Sequence, residues 1–93
     1  MINLSQKTWK EIDTGIADRL IRLRKRKKIS QQELAVKSGV SMGSVKRFEQ
    51  SGEISLKSLT KITIALGVEG ELDALFEDVP FESIEEVING QSK

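Results

Sequence analysis

The stretch Gln31-Gln32-Glu33-Leu34-Ala35-Val36-Lys37-Ser38-Gly39-Val40-Ser41-Met42-Gly43-Ser44-Val45-Lys46-Arg47-Phe48-Glu49-Gln50 decides how this chain folds. It reads as two short helices joined by the three-residue turn Gly39-Val40-Ser41. Ser30, just ahead, forms a capping box with Glu33: the hydroxyl accepts from an orphan amide, and the carboxylate reaches back to the cap amide. Gly39 tolerates positive φ and stops the first of the two helices. Ser41 caps the next, which is predicted to run to about Phe48 or Glu49. Two helices crossing steeply over so tight a turn need a small side chain at the crossing, and Ala35 supplies it. Val45 is placed to pin the second helix to the first, and Leu34, Val40 and Phe48 complete a miniature core.

The flanking sequence extends the helical pattern. Ile12, Ile16, Leu20 and Leu23 recur at helical spacing, which predicts a preceding helix from about Thr14 to about Lys27. Gln50-Ser51-Gly52-Glu53 reads as a loop. Ser55 caps a fourth helix, with a predicted buried stripe of Leu56, Leu59, Ile62 and Leu66 and a stop at Gly67. A fifth helix, about Glu69 to Glu77, is predicted to bury Leu72, Leu75 and Phe76, and Pro80 closes it off. The tail from Phe81 to Ile88 has the pattern of one more helical turn starting at Ser83, and the residues after it are expected to fray. No segment has a convincing strand period. The predicted fold is all-α, about five short helices. It divides into an N-terminal arm (1–12), a helical domain (13–77) and an acidic C-terminal tail (78–93).

Composition narrows the chemistry. At 93 residues the chain holds one domain and one modest core. It has no cysteine and no histidine, which removes disulfides, thiolate metal sites and the commonest general base. With no phosphate loop and no spaced carboxylate cluster either, the residues argue against an enzyme, a metal and a cofactor. No apolar run has bilayer length and the N-terminus lacks a signal-peptide pattern, so a cytoplasmic protein without a membrane span is expected. The net charge of +1 hides an asymmetry. Residues 1–50 carry 12 Lys or Arg against 5 Asp or Glu, and residues 51–93 carry 3 against 9. A basic half beside an acidic half fits one surface for a polyanion and another for something else, or two solvated faces with a chance bias.

Ile29-Ser30-Gln31-Gln32-Glu33-Leu34-Ala35, Ser38-Gly39-Val40-Ser41 and Val45-Lys46-Arg47-Phe48-Glu49 together resemble the phage-repressor and Cro type of helix-turn-helix, the Xre family. The resemblance covers roughly residues 14–76. It implies a lambda-repressor-like bundle with the helix-turn-helix at helices two and three, a regulator of transcription, and double-stranded DNA as the partner. The second of these helices then offers its outer face to a major groove. The resemblance further implies an ion pair between Arg24, late in the first helix, and Glu49; the alternative for Arg24 is one more exposed base in a basic run. It places Gln31 against a phosphate at a helix N-terminus, and Met42 and Gly43 at the first base contacts. One departure is visible. The family often has glycine where this chain has Lys28, and at positive φ a lysine costs roughly 1 kcal/mol.

Among the outward residues, Arg47 is the best reader of a base, because a guanidinium matches the O6 and N7 acceptors of guanine. Met42 offers only apolar contact, for instance to a thymine methyl. Gly43 costs a helix roughly 1 kcal/mol against alanine; it fits a backbone that must come close to the bases, or a glycine tolerated in a first turn. Ser44 and Lys46 fit phosphate or flanking contacts, and Lys46 fits a plain solvated lysine as well. The basic run 22–28 fits neutralisation of a DNA backbone or a solvated helix face.

Two readings of function stay open. One is a repressor binding an inverted-repeat operator as a homodimer. The other is an antitoxin that represses its own operon and holds a toxin protein through its C-terminal segment. For the second, Leu75-Phe76-Glu77-Asp78-Val79-Pro80-Phe81-Glu82-Ser83 resembles the end of Hip-type antitoxins over a short stretch. Trp9 and the apolar residues Phe76, Val79, Phe81, Ile84, Val87 and Ile88 are the material for a dimer or partner contact; they equally suit closing the core.

Overall fold

The computed structural model describes residues 6–78. The expected contacts at Val79, Phe81, Ile84, Val87 and Ile88, the stop at Pro80 and the last helical turn lie outside the described residues. Within them the chain forms five helices and no strand: α1 (Trp9–Arg26), α2 (Gln31–Ser38), α3 (Met42–Ser51), α4 (Leu56–Leu66) and α5 (Glu69–Asp73). The all-α expectation holds, with the helix-turn-helix at α2 and α3.

Local signals account for most of the boundaries. Ser30 accepts from the Glu33 amide and the Glu33 carboxylate accepts from the Ser30 amide, so the predicted capping box is present. Ser41 and Ser55 cap α3 and α4 through the amides of Ser44 and Ser58. Gly39 and Gly67 stop α2 and α4 in the left-handed conformation.

Helix α1 starts five residues before the predicted Thr14. Thr8 and Glu11 form a second capping box, the same pattern as Ser30 and Glu33. Residues 9–12, expected in the arm, are therefore helical. This first turn overhangs the core. Trp9 and Ile12 are exposed, while Ile16, Leu20 and Leu23 pack inward as expected. Helix α3 runs two residues beyond its predicted end. The Ser51 hydroxyl donates to the Arg47 carbonyl, and the stop comes at Gly52 at φ 78°.

The core is Ala17, Leu34, Val40, Val45, Phe48, Ile62, Ala65 and Leu66, drawn from α1 to α4 and the α2–α3 turn. Of the stripe predicted on α4, Ile62 and Leu66 are buried and Leu59 is half-buried. Leu56 is exposed, because the first turn of α4 projects past the core. Thr63 takes a buried place instead, its hydroxyl donating to the Thr60 carbonyl. Helix α5 is shorter than expected and buries none of its residues. After Asp73 the chain turns, Phe76 sits at φ 65°, and Leu75 and Phe76 face solvent, Phe76 at 81% exposure. Only Leu72 of the three predicted there is half-buried. Lacking a side-chain cap and a basic last turn, this helix has little to extend it.

The corner between α1 and α2 carries the Lys28 strain that the sequence raised. Lys28 stands at φ 58°, its amide bonds the Lys25 carbonyl, and the Ile29 amide bonds the Arg24 carbonyl. These two bonds are the Schellman pattern, whose left-handed position favours glycine. Lys28→Gly is expected to raise stability by about 0.5–1 kcal/mol, read as a higher urea midpoint at unchanged m-value. A lower midpoint would show that the lysine stem is worth more than the strain.

Candidate nucleic-acid interface

The outer face of α3 owes its position to residues on the inner face. Val45 and Phe48 are buried against the bundle, and Glu49 closes the helix onto α1. Arg24, at 8% exposure, points inward while Arg22 and residues 25–28 stay exposed. Its Nε and Nη2 donate to the two Glu49 carboxylate oxygens at 2.7 and 3.0 Å, a side-on bidentate pair. Its Nη1 donates to the Ile29 carbonyl at 2.8 Å, which ties the corner before α2 to the same guanidinium. The pair that the family resemblance implied is present.

Gln31 joins this network. Its side-chain amide donates to Glu49 Oε1 at 2.9 Å. One carboxylate thus binds the end of α1, the start of α2 and the far half of α3 together. No sequence spacing announced the Gln31 contact, which spans 18 residues. Gly39 makes the turn in the left-handed conformation, and Ala35 is half-buried against the core.

Along the outer face, Gly43, Ser44, Lys46 and Arg47 are exposed and Met42 is half-buried. Ser44 is drawn into the helix cap, its hydroxyl accepting from that of Ser41 at 2.8 Å. A Cβ at Gly43 would meet nothing within 4 Å, so no neighbour in the protein requires glycine there. Arg47 is not free-standing. Its Nε and Nη2 both reach Glu53 Oε2, at 2.9 and 2.8 Å. Glu53, read from sequence as a loop residue, thereby joins the site. The two residues line an open hollow of about 330 Å³ between α3 and the start of α4, with Ser44, Ile54, Ser55 and Ser58.

Among the described residues no helix is long and apolar enough to cross a membrane. No curated protein and no solved structure matches the chain. A family model described as helix-turn-helix matches residues 20–72, more than half of the chain and the whole of α2, α3 and α4. With the buried Arg24–Glu49 pair behind the exposed outer face of α3, the match identifies this chain as a member of the Xre/Cro-type helix-turn-helix family of DNA-binding transcriptional regulators.

Proposed function

We propose that the protein is a repressor that binds an inverted-repeat operator as a homodimer, with α3 in the major groove. The observation that carries this reading is the exposed row Gly43, Lys46 and Arg47 on a helix fastened from behind by Arg24, Glu49 and Gln31. Arg47 reads a guanine, Met42 and Gly43 lie closest to the base edges, and Ser44, Lys46 and Gln31 contact the backbone. The open space over Gly43 supports a close approach of the helix backbone to DNA. One helix spans only a few base pairs, so two are needed, about 34 Å apart.

Selection from a pool of randomised duplexes tests this. The expected product is an inverted repeat with half-sites one helical turn apart. On the selected duplex Arg47→Ala costs about 1–3 kcal/mol, and on a scrambled duplex of the same composition it costs much less. Equal losses on both would end the base-reading role of Arg47. A selected single half-site would end the dimer.

An exposed apolar groove of about 690 Å³, lined by Leu56, Ile64, Leu72, Leu75 and Phe76 among others, supports a second reading. Here the protein is an antitoxin whose acidic second half holds a toxin at this groove while α3 represses the shared operon.

A further inference from the structure

We propose that Glu53 is a specificity-determining positioning residue, which orients the guanidinium of Arg47 for the base it reads; this rests on the base-reading role of Arg47. Glu53 follows the left-handed stop at Gly52, so it lies beyond the end of α3 and beside its outer face. Its own amide is held by the Ser51 hydroxyl, which in turn donates to the Arg47 carbonyl. The carboxylate therefore stands on a loop stem anchored to the very turn of helix that carries Arg47.

The geometry of the pair is what gives it a role. Glu53 Oε2 takes the side-on edge of the guanidinium, Nε and Nη2. A guanidinium has five N–H donors in a planar fork. The end-on edge, Nη1 with the outer hydrogen of Nη2, has no partner among the described residues. That end-on edge still offers two parallel N–H donors, enough for a bidentate contact to O6 and N7 of guanine. Glu53 thus occupies one edge of the fork, favours one orientation of it, and leaves the other edge open to a base.

Charge alone predicts something different. A carboxylate near the phosphates repels DNA of any sequence and lowers specific and nonspecific affinity together. In free protein the pair is exposed, at 71% and 54% for the two side chains, so it adds little to stability. Inside a protein–DNA interface the pair loses bulk solvent, and at the lower local dielectric the same contact strengthens.

The test compares dissociation constants for the duplex selected by the wild-type protein and for a scrambled duplex, at one salt concentration, and reads their ratio. Glu53→Ala is expected to tighten binding to the scrambled duplex yet lower the ratio about 3- to 10-fold, the lower part of the range for a coupled pair in contact, as suits an exposed one. In the Arg47→Ala background, Glu53→Ala is expected to leave the ratio unchanged. The proposal falls if Glu53→Ala leaves the ratio unchanged or raises it in the presence of Arg47. It also falls if the drop is the same without Arg47, since Glu53 would then act on DNA by itself. Arg47→Ala alone separates the two levels: a ratio it does not move removes the base-reading role and the Glu53 inference with it.

Discussion

Gly52→Ala is expected to destabilise the protein by about 2–5 kcal/mol, a large share of what holds a domain of this size together. Two costs add. The residue stands at φ 78°, where an L side chain is strained. A Cβ built there lies 2.8 Å from the Asp13 carbonyl carbon, 2.9 Å from its oxygen and 3.0 Å from its Cβ. The obstruction is mostly the backbone of α1, which has no rotamer by which to yield. Gly39→Ala is the matched control: it has nearly the same φ, 75°, and its Cβ meets nothing within 4 Å. It is expected to lose only the conformational part, roughly 1–2 kcal/mol. Urea unfolding of both variants reads the difference. Equal losses would mean that the α1 backbone yields to the added methyl at no cost.

The second large effect is at the buried ion pair. Arg24→Met and Glu49→Leu are each expected to cost about 3–5 kcal/mol, because each strands a charge in the core. Arg24→Met leaves the Glu49 carboxylate with Gln31 as its remaining partner and the Ile29 carbonyl without its donor. Glu49→Leu leaves a guanidinium bonded to Ile29 alone. The double variant, Arg24→Met with Glu49→Leu, removes both charges and is expected to lose well under the sum. Simple additivity in chemical unfolding would show that the two side chains contribute independently.

How much of this was legible depends on the range of each interaction. Ser30, Ser41, Ser55, Gly39 and Gly67 act within one helical turn, and each does what its residue type predicts. Thr8 and Glu11 carry the same local signal as Ser30 and Glu33. They escape a reading that waits for apolar periodicity, because the turn they cap overhangs the core and Trp9 and Ile12 bury little. Leu56, Leu75 and Phe76 mislead for the complementary reason. Their spacing suits a buried face, but burial needs a partner surface, and a helix's own sequence does not say where its neighbours end. The Arg47–Glu53 contact spans six residues across a left-handed glycine, which matches no helical spacing. The family resemblance points Gln31 toward a phosphate, and nothing local announces that its amide closes on Glu49.

The division of labour along α3 has an evolutionary consequence. Val45, Phe48 and Glu49 fasten the helix wholly from its inner side, and Gly43, Lys46 and Arg47 touch none of them as core partners. Substitutions at such exposed positions usually change stability by no more than about 0.5 kcal/mol. On the proposed reading, folding and DNA contact fall to different residues of this ten-residue helix, with Glu53 just beyond its end. If α3 reads DNA as proposed, a duplicated copy of this gene can acquire a new operator through two or three outward changes while every inward residue stays as it is. Divergence among such copies then follows the DNA they meet, with the scaffold held constant.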